Sequence, residues 1–217
     1  MFSKDIKGAG EVVSRDMQVG DFTKIDVGGA FVVSYKRGDC AVSVEMQENL
    51  FEHLDIAVKH GKLSVNFKSG KNISTGKSPH VYISAPVLDA IALSGAASTA
   101  DWDKISAESF SISASGAAGI NISLEAERLD LDASGAVTVK LSGSVGAAKM
   151  VASGASNIKA GDLEIKDAKI NVSGASNAHV ACSGSLDAEV SGASNMRYTG
   201  DASVNQRVSG ASSIKRG

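Results

Sequence analysis

The sequence predicts an all-β solenoid, a parallel β-helix of about ten coils, from a repeated tripeptide, its spacing and the abundance of glycine. Ser-Gly-Ala recurs through the second half of the 217-residue chain at intervals of 18 to 21 residues. A period of this length is typical of solenoids. The chain has 23 glycines and 2 prolines, which fits many tight corners built without proline. The tripeptide begins at Ser94, Ser115, Ser134, Ser153, Ser173, Ser191 and Ser209.

The composition limits the class of protein. Hydrophobic residues make up 43% of the chain and aromatic residues only 5%, so the core must consist mainly of aliphatic side chains. The net charge of −2 gives no electrostatic reason to expect nucleic acid as a partner. No apolar run approaches the ~20 residues of a membrane-spanning helix, so no transmembrane segment is expected.

Two cysteines, Cys40 and Cys182, lie far apart in the sequence. Each coil of a solenoid contacts only its neighbours, so these residues are predicted to be too distant for a disulfide. Both are expected to be free thiols, buried or half-buried. The histidines and acidic residues show no metal-ligand spacing, and no cofactor is predicted.

The first part of the chain carries the same pattern with insertions. Short apolar–polar alternations separated by turn residues predict strands, residues 47–54 predict a short helix, and residues 69–78 form a polar loop. The chain is predicted to be one domain, residues 1–217, with elaborated coils over 1–93 and minimal coils over 94–217. The predicted corner glycines are Gly8, Gly29, Gly61, Gly95, Gly116, Gly135, Gly154, Gly174, Gly192 and Gly210.

Within a minimal coil the apolar residues alternate with polar ones, which is the period of a β-strand. Numbered from the corner serine, positions −3, −1, +3, +5 and +7 are apolar or compact and are predicted to point into the solenoid. The residues between them are polar or charged and are predicted to point outward. In the coil whose corner is Ser134, the inward residues are Leu131, Ala133, Val137, Val139 and Leu141.

Position +4 holds asparagine in three coils, as Asn157, Asn177 and Asn195. Asparagine tolerates the left-handed backbone conformation, and its amide can form a ladder between stacked chains. The structural interpretation is therefore that these residues support the corners. The functional alternative is a polar recognition stripe.

Two blocks of sequence, together with the corners, carry a resemblance to a known family. The first is Phe22-x-x-Ile25-x-Val27-Gly28-Gly29-Ala30-Phe31-x-Val33, and the second runs from Val81 to the corner at Ser94. With the later Ser-Gly-Ala-Ser-Asn corners, this pattern resembles the head GIN-domain family of autotransporter adhesins. The resemblance implies a single-stranded, right-handed parallel β-helix. It also implies an exported protein of the periplasm, outer-membrane surface or extracellular space, whose leader is absent from this chain.

Position +6 collects positive charge on the outer surface. Five successive coils stack cationic or titratable side chains about 5 Å apart, and such a column repels itself unless an anion compensates. The interpretation is a docking face for an acidic glycan or another surface polymer. The column consists of Lys140, Lys159, His179, Arg197 and Lys215. The alternative is an ordinary solvated strand face, balanced by Asp130, Asp132, Asp162 and Glu189.

An enzyme is the second hypothesis, since pectin-cleaving enzymes also use parallel β-helices, although a fold by itself does not imply an activity. Such chemistry needs a carboxylate cluster within a cleft, whereas the acidic residues here are scattered and no catalytic residue is predicted. Trp102, between Asp101 and Asp103, is the first candidate for stacking against a sugar ring, with a partly buried structural role as the alternative.

A structural or assembling module is the third hypothesis. The last coil is predicted to present an open parallel edge, and open edges invite pairing with another chain. The C-terminal coil is thus expected either to pair with a second copy in a homo-oligomer or to be protected by Lys215 and Arg216. Of the three hypotheses, an exported, non-enzymatic, adhesin-like binding protein is preferred.

Overall fold

The computed structural model describes residues 6–69 and 72–217, and strands account for about 70% of the chain. In the described chain, nine strands precede the regular coils: β1 (Ile6–Lys7), β2 (Val12–Met17), β3 (Lys24–Gly29), β4 (Val32–Arg37), β5 (Ala41–Gln47), β6 (Leu54–Lys59), β7 (Lys62–Phe67), β8 (Ile73–Ser74) and β9 (His80–Ala85). Ten strands follow: β10 (Ala90–Gly95), β11 (Ser98–Trp102), β12 (Ile105–Gly116), β13 (Gly119–Gly135), β14 (Thr138–Ala152), β15 (Asn157–Val172), β16 (Asn177–Val190), β17 (Asn195–Thr199), β18 (Ser203–Val208) and β19 (Ser213–Arg216).

The second half of the chain forms stacked parallel coils, as the repeat predicts. Strands β12 to β16 pair in chain order, each parallel to the next. Strands β17 and β18 both pair with β16, and β19 pairs with β17. Residues at the same coil position are partners, so Leu131 lies against Met150 and Val139 against Ile158. The predicted β-solenoid is therefore confirmed.

The inward positions predicted from the alternation form the core. Leu131, Val139 and Leu141 are each at most 2% exposed. Position +3 is buried in every coil before the last, where Ser212 is half-buried. In four coils it is a serine whose hydroxyl donates to the glycine carbonyl of the preceding corner. Ser156 Oγ, for example, lies 3.1 Å from the carbonyl oxygen of Gly135. Because the hydroxyl has a partner, a polar atom is accommodated in the core.

The corner glycines stack directly on one another. Gly174 has a φ of +80°, and a Cβ added to it would lie 2.5 Å from the carbonyl oxygen of Gly154. That same oxygen accepts a 2.7 Å hydrogen bond from the backbone N–H of Ala175. Only glycine meets both requirements, a left-handed backbone and a close approach between coils.

Two of the predicted corner glycines are not corners. Gly61 lies with His60 in the turn that joins the antiparallel strands β6 and β7, and both residues have positive φ, as a tight hairpin requires. Gly8 follows β1 and packs against Gln47. The glycine stack passes instead from Gly95 directly to Gly29. The solenoid therefore has about seven turns rather than ten.

The first ninety residues close one end of the solenoid with a mixed sheet. Strands β3 and β4 continue the parallel columns beneath β10 and β11, and β7 and β9 extend them by one more layer. Antiparallel pairs then follow: β6 on β7, β5 on β9 and β2 on β5. The predicted short helix is present as a 3-10 helix over Glu48–His53, between β5 and β6. Part of the predicted polar loop, residues 70 and 71, lies outside the described residues.

The asparagines at position +4 do not adopt the left-handed conformation. Asn157, Asn177 and Asn195 are the first residues of β15, β16 and β17, and they are partners in the parallel ladder. Among described residues other than glycine, positive φ occurs at His60 and Asp101. The glycine directly after the corner serine already supplies the left-handed turn, so the asparagine can remain extended.

Both cysteines are free, as expected, with Cys182 buried and Cys40 half-buried. The Cys182 thiol lies 3.2 Å from the carbonyl oxygen of Ser185 and 3.3 Å from that of Lys166. Burial raises the pKa of this thiol. The residue therefore behaves as a small core side chain at a corner rather than as a nucleophile.

We expect Gly174→Ala to lower the free energy of unfolding by about 2 kcal/mol or more, because the methyl group meets the Gly154 carbonyl and the residue must keep a left-handed backbone. Urea denaturation measures the change. Gly20→Ala is the control, since an added Cβ there has no neighbour within 4 Å. Equal effects of the two substitutions would contradict the stacked-corner explanation.

Candidate functional site

The five residues predicted to form a cationic column are neighbours in the structure. Lys140 pairs with Lys159 across β14 and β15, and Lys159 pairs with His179 across β15 and β16. His179 pairs with Arg197, and Arg197 with Lys215, across β16, β17 and β19. Parallel strands stand ~4.8 Å apart, so the column is roughly 20 Å long. It forms one continuous stripe on one face of the solenoid.

Buried neighbours fix the direction of each column residue. Ile158, Val180 and Met196 lie directly beside column residues in sequence and are at most 2% exposed. Because side chains alternate along a strand, the column residues must point outward, and all five are exposed. The His179 ring lies over Gly161. A Cβ added at Gly161 would come within 2.6 Å of the ring, so the absence of a side chain there makes room for the imidazole.

The column is not neutralised by acidic side chains of the described chain. No column residue lies within 4.0 Å of a carboxylate oxygen there, although six ion pairs between Lys or Arg and a carboxylate are formed elsewhere. The acidic residues expected to balance the column take no part in those pairs. They are Asp130, Asp132, Asp162 and Glu189. An outward column on the other side of the corner shows the contrast. Asp130, Lys149, Lys169 and Asp187 follow one another there, so charges of both signs are stacked.

An open groove runs beside the column and brings in a second set of residues. It has a volume of about 400 Å³ and is lined by His179, Arg197 and Lys215 together with the +4 asparagines. In the asparagine column, Ser213 Oγ donates a 2.8 Å hydrogen bond to Asn195 Oδ1. The sequence favours a corner role for these asparagines, with a polar recognition stripe as the alternative. Their two-residue spacing from the cations was the signal that both columns share one strand face.

Trp102 lies apart from this groove. It belongs to the coil that begins at Ser94, two coils before Lys140, and its ring packs on Tyr35 with centroids 5.3 Å apart. Its Nε1 is buried without a hydrogen-bond partner in the described chain. Asp103 beside it accepts hydrogen bonds from Lys36 Nζ and from the backbone N–H of Arg37, and these bonds lower the pKa of its carboxyl.

A second polar cluster that the sequence did not reveal lies on the mixed sheet. Ser34 Oγ is 2.8 Å from His80 Nε2, and the His80 ring stacks on Tyr82 with centroids 4.1 Å apart. Strands β4 and β9 bring these residues together from 46 positions apart. Ser34 is only 4% exposed, which leaves its hydroxyl inaccessible to a substrate. The pair is therefore a structural contact rather than a nucleophile and its base.

The described residues contain no group of three or more His, Cys, Asp or Glu side chains placed to hold a metal ion. Several carboxylates, at separate places on the surface, are instead used in ion pairs: Asp26 with Lys62, Glu108 with Arg128, and Glu125 with Lys104.

The chain is similar over nearly its whole length to solved β-solenoid structures. A “putative adhesin” from Bacteroides fragilis has a TM-score of 0.90 at 23% identity, covering 97% of this chain and 99% of that chain. A “putative adhesin” from Parabacteroides distasonis has a TM-score of 0.78 at 24% identity, and a “putative lipid binding protein” from the same species 0.80 at 22%; each match covers 99% of this chain and 100% of the other. These similarities define the fold, a β-solenoid.

Residues 21–202 match the family model described as “Putative auto-transporter adhesin, head GIN domain”, and the chain belongs to this family. The resemblance seen in the sequence is thereby confirmed. No curated protein matches the chain. By family it is an adhesin-like protein of the surface or exported class. In the described part of the chain, no helix has the length and apolar character needed to cross a membrane.

We expect the free energy of unfolding to decrease as the pH is lowered from 7.5 to 5, because the His80 imidazole becomes protonated over this range. Burial lowers the pKa of its imidazole below the usual 6.5, so the unfolded state takes up a proton first as the pH falls. The contribution of His80 is fully present at pH values well above the unfolded-state pKa of 6.5 and is lost as the pH falls through the lower pKa of the folded state. Thermal unfolding across this range should show a smaller decrease in Tm for His80→Gln, and an unchanged decrease would contradict the assignment.

Proposed function

We propose that the protein is a non-enzymatic, adhesin-like binding protein whose cationic column and adjoining groove bind an acidic surface polymer. One observation carries the proposal: five exposed, stacked cationic or titratable side chains without a carboxylate partner among the described residues. The preferred ligand class is an acidic polysaccharide. A protein ligand with a comparable line of carboxylates would offer the column the same negative charges.

Electrostatic repulsion within the column supports the proposal. Two unit charges ~4.8 Å apart repel by about 1 kcal/mol in water and by more near a protein surface. Parallel stacking holds the backbones of the column residues at this spacing, so their side chains emerge along one line. An anion lying along the column converts the repulsion into attraction, and several contacts to one polymer act together.

The asparagine column supplies a different kind of contact. Each amide offers two donors and an acceptor, which suits the hydroxyl groups of a sugar better than a charged side chain does. Asn177 and Asn195 line the same groove as His179 and Arg197. The arrangement therefore favours a ligand that carries both negative charge and neutral polar groups, as an acidic polysaccharide does.

Trp102 is proposed as a separate, weaker contact for a sugar ring. Its indole is partly exposed and one face is occupied by Tyr35, so one face at most is open to a ligand. Trp102 is two coils away from the first residue of the cationic column. Only a long polymer, or a second ligand, could contact both sites at once.

An exported location, in the periplasm, on the outer-membrane surface or outside the cell, fits this role. The preference for binding over catalysis rests on the open shape of the groove and on the dispersed carboxylates. Polysaccharide cleavage of the pectinase type needs paired carboxylates or a bound calcium ion beside the substrate. In the described chain, the groove beside the column is lined by amides and cations without a carboxylate.

One solved structure of the same fold is described as a “putative lipid binding protein”. Anionic lipid headgroups share negative charge with acidic glycans, so the test includes both sources. Polygalacturonate represents the polymer, and vesicles containing phosphatidylglycerol represent the lipid surface. Retention by the vesicles alone would contradict the preferred ligand class.

We expect the double substitution Lys159→Glu and Arg197→Glu to weaken binding to polygalacturonate by about tenfold or more at low salt, because two attractions become repulsions. Binding by the unmodified protein should fall as salt increases, because the contacts are exposed. Titration of immobilised polymer by biolayer interferometry at two salt concentrations measures both effects.

The matched control is Lys149→Glu with Lys169→Glu. It changes the net charge by the same amount, in the column across the corner that already contains Asp130 and Asp187. Binding should change less than threefold in this control. Equal losses in the two double variants would show that net charge alone governs binding and would overturn the proposed site.

A further inference from the structure

The last coil has two strands that are hydrogen-bonded on one side only. Among the described strands, β18 pairs with β16 and β19 pairs with β17, and neither has a partner on its other edge. The core columns continue into this coil without cover. Leu186, Ala188 and Val190 are at most 1% exposed, whereas their partners on β18 are more accessible, and Val208 is 46% exposed.

The free edge of β18 has a defined hydrogen-bonding pattern. The backbone N–H of Ser209 donates to the carbonyl oxygen of Val190 in the coil below. Backbone groups of successive residues in a strand point to opposite sides, so the N–H and C=O groups of Val204, Gln206 and Val208 point away from that coil. The side chains of these same three residues point inward, in line with the buried residues of β16. The unpaired backbone groups and the uncovered valine side chains therefore lie on the same residues.

We propose that β18 pairs antiparallel with β18 of a second copy, about a two-fold axis that passes through Gln206. This register brings Val204 of each copy opposite Val208 of the other. It also brings the outward-facing pair Asn205 and Arg207 together. All three open residues of each strand then form hydrogen-bonded pairs, and two identical surfaces satisfy one another, as a two-fold interface requires.

The side chains of β18 are self-complementary in this register. Valine meets valine on the inward face, where both are shielded from water, and the two Gln206 amides meet at the axis, where each can donate to and accept from the other. The charged residue of the strand, Arg207, faces Asn205 rather than a second arginine, so no like charges oppose one another. A shift of the register by one residue would oppose Val208 with a polar outward residue instead.

Charge on the other sides of the coil agrees with the same axis. A two-fold axis through β18 superimposes the side formed by β19 on the partner's third side, which contains residues 199–202. The β19 side carries Lys215 and Arg216, and the third side carries Asp201. Asp201 already binds Arg216 within one chain at 2.5 Å, so these groups are compatible in charge and reach.

The test is sedimentation velocity over a range of concentrations, with Val208→Lys as the disrupting variant. The unmodified protein should show twice the monomer mass, and Val208→Lys should raise the dissociation constant about 100-fold or more, because it places a lysine against an apolar partner in a covered site. Val12→Lys, at an exposed valine of edge strand β2, is the control and should leave the dimer intact. A monomer mass at about 100 μM, where even weak complexes form, would overturn the proposal.

A cysteine cross-link tests the two-fold register itself. In a hydrogen-bonded antiparallel pair the Cα atoms stand about 5.5 Å apart, within the range that a disulfide spans. Gln206→Cys, in a Cys40→Ser background, should therefore yield a covalent dimer on mild oxidation, whereas Val12→Cys in the same background should not. Association without this cross-link would mean end-to-end stacking in another arrangement and would overturn the two-fold pairing.

Discussion

The contact between corner glycines of successive coils fixes the rest of the structure. Ala175 N–H bonds to the Gly154 carbonyl at 2.7 Å, and Ala193 N–H bonds to that of Gly174 at the same distance. Such bonds close each coil on the one below, and the missing side chains allow the approach. Because each corner can sit on the previous corner in one way only, every residue between two corners acquires a partner at the same coil position.

This register has two consequences of opposite energetic sign. Inward positions form continuous apolar columns, which are favourable because burial removes them from water. Outward positions are also repeated every ~4.8 Å, so a cation at position +6 in several coils becomes a line of like charges. The hydrogen-bonded stack is strong enough to hold that line together. The repeat that stabilises the fold thus also places Lys159 and Arg197 in the line of charge on which the proposed polyanion site rests.

The two ends of the solenoid differ in how the core and the outermost strands are covered. At the first end, antiparallel strands β5 and β6 and a 3-10 helix cover the core, and most of the aromatic residues lie in this region, including the stacked pair Phe31 and Phe67. At the other end the columns continue to β18 with open backbone groups. The proposed two-fold pairing about Gln206 would satisfy these groups.

The coil period, the inward residues such as Leu131 and the cationic column could be predicted from the amino-acid sequence, because strand periodicity and a fixed repeat decide which side chains share a face. The sequence could not assign Gly61, because a glycine with positive φ looks the same in a hairpin and in a stacked corner. Nor could it bring Ser34 beside His80, or show that the asparagines share a groove with the cations. Only the tertiary structure decided these points, since each depends on which strand lies next to which, and pairing between distant strands leaves no local signal in the chain.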